Sequence, residues 1–461
     1  MNIKSPPRGL SLLLLVGPSI IWCSEFIGSG EVILATRTGA ILGTGVIWAV
    51  IAGIFLKYWI GMCGARYTVC TGESMIDMFA RMPGPKNWAV WIVLIGQFAA
   101  AGIAIGSLAT AAGVFLGNLM NISTMLGGWI VTVFAFIVAW TGRFSWLKFI
   151  MSAMVLIILV GVFAISVRVF PGLKAFLEGL IPSVPAIPSW AADKLPDANP
   201  WREVLPLIGW GAGGFASQVW YSYWVMGAKY GAAENSGYGT AAPVNELKNL
   251  DLRGAYKLRG WTKLVYVDAT VALVIGMAAT LGFLLAGAGI LRPLHLAPEG
   301  EKAALEIASI FSTRWGNIGG LLFMLGGTAA LVSTQVGQLA GWPRLLADCT
   351  RICIPAFGRI RWIWQFRIYL VFFFLSNMII IYSLGYRPVF LVKLGALLDG
   401  LLLTPLQALW LIIGLYIVLP RFYTKPVAGV LRPHWIFGAG LGLAFLVFTY
   451  FCVFQLPYVL F

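Results

Sequence analysis

The sequence predicts an all-α polytopic membrane protein in which two of the spans are interrupted, and three observations predict it. Of 461 residues, 60% are hydrophobic and 11% charged. That is too few charges to clothe a water-soluble domain of this length, so most of the surface must face lipid or pack on itself. The apolar runs are about 20 residues long, enough to cross a hydrocarbon core of about 30 Å as helices, and they lack the two-residue alternation of a membrane β-barrel. Glycine-rich stretches, SEFIGSGEV and LIGWGAGGF, fall in the middle of the first and sixth runs.

In chain order the apolar runs give about eleven spans, near 10–38, 41–64, 88–117, 124–142, 146–169, 204–226, 262–290, 316–342, 365–385, 389–418 and 434–457. The N-terminal MNIKSPPRG looks like the start of a signal peptide. The apolar stretch behind it, however, runs through Glu25 and Glu31 with no small-residue cleavage site, so it reads as a retained span. With the N-terminus in the cytoplasm, loops on that side hold most of the basic residues, among them Arg66, Arg81, Lys86, Arg143, Lys248, Arg253, Arg344, Arg351 and Arg361. The positive-inside rule favours that orientation and an integral protein of the cytoplasmic membrane. The net charge of +15 then reflects topology and anionic lipid, not nucleic acid.

Segment 171–203 reads as a Pro-rich external loop. Segment 297–315 carries Glu301, Ala304, Leu305, Ile307 and Phe311 at helical spacing and reads as an amphipathic helix on the membrane surface. A single transmembrane domain accounts for 1–461. The breaks fall in matching members of two five-span halves, which predicts a first repeat over 10–169, a second over 204–418 and an additional helix at 434–457.

The breaks locate the candidate site. In the first, Gly28, Ser29 and Gly30 precede Glu31; in the sixth, Trp210, Ala212, Gly213 and Gly214 lie together. Clustered glycines let a helix unwind, and unwound backbone at membrane depth is tolerated only around a protein-lined or wet cavity. Gly39 and Gly43, or Gly326 and Gly327, fit the simpler role of close helix packing. Ionisable groups inside the membrane cost about 2.5–3.5 kcal/mol each even on lenient scales and so require a reason. Glu31 can attract a cation, carry a proton, or cap the half-helix behind the break. Glu25 is a second candidate cavity acid. Asp268 reads as an ion pair with Lys263 or as a proton relay; Asp399 and Lys393 are expected to pair with neighbouring helices; Lys57 snorkels or pairs across the bundle. Gln218 and Tyr221, among the aromatics of span six, suit either packing or an aromatic cage for an organic cation.

Several classes are disfavoured. Only His295 and His434 occur, so no histidine-rich metal site forms. The cysteines, with Cys349 and Cys353 in an expected cytoplasmic loop, show no disulfide framework. GAGG lies inside an apolar span and not between strand and helix, so no nucleotide loop, enzyme or cofactor is indicated. The expected partners are the lipid bilayer and a small ion or molecule, with oligomeric state left open.

The runs LVGPSIIW, GSGEVILATRTGAILG and GARYTVCTGES, with STQVGQLAG in span eight, resemble the Nramp (natural resistance-associated macrophage protein) divalent-metal transporters. This resemblance implies the LeuT-like fold of the amino acid–polyamine–organocation superfamily and secondary transport by alternating access. It also implies a changed site. The family's first-span Asp-Pro-Gly-Asn falls on Gly28-Ser29-Gly30-Glu31, and its sixth-span Met-Pro-His falls near Gly214-Phe215-Ala216. The usual metal-binding Asp, Met and His are therefore missing. A site of Glu31 plus carbonyls would be oxygen-only and suited to a hard divalent cation such as Mg²⁺ or Mn²⁺. The alternative is a carrier of a small organic cation or amino acid, using Trp210, Gln218 and Tyr221. Coupling would fall to Glu25, Glu31, Asp268 or Asp399.

Overall fold

The computed structural model describes residues 1–7, 9, 16–192, 199–297, 303–383 and 388–460. Among them there is no strand. Every expected span is helical. Span one is Pro18–Phe26 followed by a wide turn at Gly30–Ala35 and Thr36–Leu42; its expected start at 10–15 lies outside the described residues. Spans two to five are Ile47–Thr71, Trp88–Met120, Thr124–Trp140 and Phe144–Arg168. Span six is Trp201–Trp210 and Phe215–Gly227, span seven Leu252–Ala286, span eight Ala303–Cys353 and span nine Trp362–Ser383. Span ten is Pro388–Gly400 and Thr404–Ile413, and span eleven starts as Trp435–Tyr450. Long apolar helices of this kind make the chain an integral membrane protein.

Both expected interruptions are present. Pro18 opens the first half-helix at a position where its missing N–H costs nothing. In span six the chain leaves the helix through two consecutive left-handed residues, Ala212 (φ +55°) and Gly213 (φ +74°). For the alanine that conformation costs about 1–2 kcal/mol, so tertiary contacts must hold it.

A third interruption, in span ten, is not apparent from the glycine pattern. Pro405 has no N–H to continue the helix, and Gly400 lies directly on the backbone of Gly209 with no room for a side chain. The tenth-span break thus buttresses the sixth.

Other boundaries move for local reasons. Span seven begins ten residues earlier than the expected 262, because Asp251 caps it by accepting from the Gly254 N–H at 2.7 Å. The expected surface helix at 297–315 is continuous with span eight from Ala303, its side chains through 317 lying outside the description. Cys349 and Cys353 occupy the last turns of that helix and not a loop. The segment after span five, expected to be external, carries two short helices, Leu173–Glu178 and Ser189–Ala192. It packs against the start of span two, where the Trp48 indole donates to the Ser183 carbonyl at 2.6 Å.

The packing role expected of Gly39 is met where span one crosses span seven. A Cβ on Gly39 would strike the Leu284 carbonyl, and one on Gly287 the Thr36 carbonyl. Gly326 likewise faces Gly161 of span five. Gly43 differs: it ends the helix at φ +69°. Gly287→Ala should lower stability by about 1–3 kcal/mol through overpacking, although alanine is the better helix former. Thermal unfolding of the purified protein checks this, and an unchanged midpoint would mean the two backbones can part freely.

Candidate functional site

Where the helices break, the free ends are met by side chains, some from other spans and some from the same span. At the first break, the Ser24 carbonyl accepts from the Ser333 hydroxyl at 2.7 Å and the Ile27 carbonyl from the Thr334 hydroxyl at 3.3 Å. The Gly28 N–H donates to Glu31 Oε2 at 2.8 Å. Glu31 therefore folds back three residues as the acidic half of a capping box, at the positive end of the second half-helix. Its Oε1 is approached by the Thr280 hydroxyl at 3.5 Å. Gly28 and Gly30 lack side chains because Thr334 and the Trp210 ring press against them, with Ser29 buried between.

At the second break, the Lys57 ammonium from span two donates to the carbonyls of Gly209 and Gly213, the latter at 2.7 Å. The Ala212 carbonyl accepts from Gln218 Nε2 at 2.7 Å. Asp399 of span ten accepts from the Ala216 N–H at 3.1 Å and from Gln97 Nε2 at 3.0 Å, capping the half-helix Phe215–Gly227. The Asp399 carboxylate fills the space a Gly214 side chain would need.

The two breaks join through Glu25, which accepts from the Ser217 hydroxyl at 3.0 Å while that oxygen accepts from the Trp22 indole at 3.1 Å. Glu25 and Glu31 are both buried, and neither belongs to a described ion pair.

Several expectations for single residues change. Asp268 does not pair with Lys263. It accepts from Gly17 N–H (3.1 Å), Ser19 N–H (3.0 Å), Ser19 Oγ (2.9 Å) and Tyr221 OH (2.7 Å), and so caps the first half-helix. Lys263 instead lines a surface cleft with Pro6 and Tyr256. Lys57 neither snorkels nor pairs with an acid, because freed carbonyls reach its ammonium first. Lys393 pairs with Glu203 of span six at 2.6 Å. The span-six aromatics are engaged internally: Tyr221 stacks on Trp22 at 4.4 Å, Trp220 meets Trp342 edge-on, and Arg344 lies over Trp224 at 5.4 Å.

Two buried ion-pair networks stand at opposite ends of the bundle. At one, Glu203 holds Arg37 (3.2 Å) and Lys393, tying spans one, six and ten. At the other, Arg351 bridges Asp77 and Asp348, each at 2.7 Å, while Tyr223 donates to Asp348 at 2.8 Å. Glu73 there accepts from Arg81 at 2.7 Å and from the Ala242 N–H at 2.7 Å.

Sequence reasoning missed the roles of Lys57, Gln97, Thr280, Ser333 and Thr334. Their signal was present: each is a polar residue within an otherwise apolar span, and such residues face the bundle interior.

Among the described residues no group of three or more His, Cys, Asp or Glu side chains is placed to hold a metal. What the breaks offer is three buried carboxylates, Glu25, Glu31 and Asp399, of which Glu31 is held by its own backbone at Gly28 and approached by the Thr280 hydroxyl.

Residues 19–192 match the family model described as natural resistance-associated macrophage protein-like. Among curated proteins, the divalent metal cation transporter MntH of Chromohalobacter salexigens is 24% identical over 196 residues. That alignment covers 41% of this chain and 43% of the relative, less than half of its length. Among solved structures, the Eremococcus coleocola manganese transporter superposes with a TM-score of 0.65 at 15% identity, over 99% of this chain and 92% of that one. MhsT in complex with L-phenylalanine superposes with a TM-score of 0.53 at 13% identity, over 96% and 99%. At these identities the likeness establishes the fold, which is LeuT-like.

Proposed function

We propose that the chain is a divergent relative of the Nramp family and a secondary transporter of a hard divalent cation such as Mg²⁺ or Mn²⁺, a reading supported by the family-model match over residues 19–192 and the likeness to a divalent metal cation transporter. One observation carries the reading. Glu31 is a buried carboxylate at mid-span that accepts from a backbone N–H and a distant hydroxyl and forms no ion pair among the described residues; Lys57 lies within electrostatic reach, but its ammonium is held by the Gly209 and Gly213 carbonyls. A buried charge needs a counter-charge, and a cation crossing the membrane supplies it. With oxygen donors alone around it, the bound ion would be hard and would keep part of its water.

The carbonyls of Ala212 and Gly213 play a smaller part than expected, since Gln218 and Lys57 engage them. The same reasoning weakens the organic-substrate alternative. Tyr221 and Gln218 are committed to Asp268 and Ala212, which leaves Trp210 beside Gly30 as its aromatic wall. Glu25, linked to the second break through Ser217, is the second acid of the pathway. A two-repeat division at 10–169 and 204–418 would underlie alternating access, and the distribution of basic residues supports a cytoplasmic N-terminus.

Uptake of Mg²⁺ and Mn²⁺ into proteoliposomes tests the role of Glu31. Glu31→Gln keeps an oxygen to accept from Gly28, so the cap survives while the charge is lost. Flux should fall by about 10- to 100-fold, the equivalent of one charge-assisted contact of about 1.5–3 kcal/mol. Undiminished metal flux in this variant removes Glu31 from the role. Absence of metal flux in the unaltered protein, with uptake of an organic cation, would favour the alternative.

A further inference from the structure

Lys57 is left unused by the transport reading. It lies in the middle of span two and is completely buried. Its ammonium donates to two backbone carbonyls, Gly209 and Gly213, on either side of the left-handed step at Ala212–Gly213. Gly209 sits in the last turn of the half-helix Trp201–Trp210, where carbonyls have no partner within the helix and the dipole is negative. The Phe448 ring stands 5.6 Å from the ammonium. Asp399 and Glu31 lie within electrostatic reach, yet neither forms an ion pair with it. Asp399 is occupied by Ala216 and Gln97, and Glu31 by Gly28.

The ammonium is thus coordinated by backbone oxygens, as a small cation would be. A buried amine with unfilled donors is costly, and so are carbonyls freed from a helix inside the membrane. Each removes the other's penalty. The oxygens are neutral dipoles, a donor set suited to an ion of single charge; Mg²⁺ and Ca²⁺ call for carboxylates and six or more oxygens.

We propose that the Gly209 and Gly213 carbonyls form a monovalent-cation site within the sixth-span break, filled in this chain by the tethered ammonium of Lys57. The site takes ammonium or an alkali ion once the tether is removed. It holds the second break in shape without a free ion, and it withholds those two carbonyls from the transported cation.

Chemical rescue tests the proposal by stability alone, so the outcome does not depend on what the protein carries. Lys57→Ala should unfold at a lower temperature than the unaltered protein. Propylammonium, which replaces the missing stem and charge, should return at least half of the loss while leaving the unaltered protein unmoved; 1-propanol should return none. Where Lys57→Ala does not fold without the amine, recovery of monodisperse protein only in its presence is the same result. Lys57→Met keeps the stem and lacks the charge, and its midpoint should rise with ammonium or potassium chloride but not with choline chloride. The proposal is overturned if neither variant responds selectively to a small cation, or if the unaltered protein responds equally.

Discussion

Glu203→Ala should lower the free energy of unfolding by about 3–5 kcal/mol, because it removes one partner of a buried ion-pair network. Glu203 is the shared anion of Arg37 and Lys393, and Arg37 is 3% exposed. Without the carboxylate, Arg37 loses a charge-assisted partner, while the Ala297 carbonyl still accepts from it at 3.4 Å. Lys393 is partly exposed and can turn to water, so its share of the loss is smaller. Thermal unfolding in detergent reads the effect. Adding Arg37→Ala should recover part of it, since the charge that Glu203 balances is then gone as well. A single variant as stable as the unaltered protein would mean that the remaining partners of Arg37, or water, replace the carboxylate.

The second large effect is expected at Asp268→Ala. The carboxylate satisfies two backbone N–H groups at the start of span one and two hydroxyls. Each buried donor left without an acceptor costs about 1–3 kcal/mol. The hydroxyl of Ser19 can rotate to another acceptor, so the net loss should be about 3–5 kcal/mol. Asp268→Asn retains one acceptor oxygen and should fall between. If Asn were as damaging as Ala, charge at the helix terminus would outweigh the hydrogen bonds. If both were silent, the cap would have no bearing on stability.

The spans were legible because the bilayer imposes length and apolarity on each one, independent of its neighbours. The first two breaks were legible because their glycines cluster. The third was not: Gly400 and Pro405 stand apart in a leucine-rich run, and the pairing of Gly400 with Gly209 exists only once spans six and ten have met. The membrane acids could be picked out one by one, but not their partners. Asp268 reaches Ser19 across a sequence separation of 249 residues, and Lys57 reaches Gly209 across 152. Local spacing suggested Lys263 for the first and snorkelling for the second. Both expectations failed for the same reason: helix ends are strong partners whose position in space no short window of sequence contains.

The hydrogen bond from Gly28 to Glu31 has a consequence for affinity. Before a cation arrives, the carboxylate that would receive it is already in use by its own backbone. On the proposed reading, binding would be an exchange and not the filling of a vacancy, and the ion would gain only the difference between its own attraction and the cap it disturbs. A charge-assisted bond of about 1.5–3 kcal/mol would weaken apparent affinity by about 10- to 100-fold. The same bond would speed departure, since Gly28 waits three residues away to reclaim the oxygen the ion gives up.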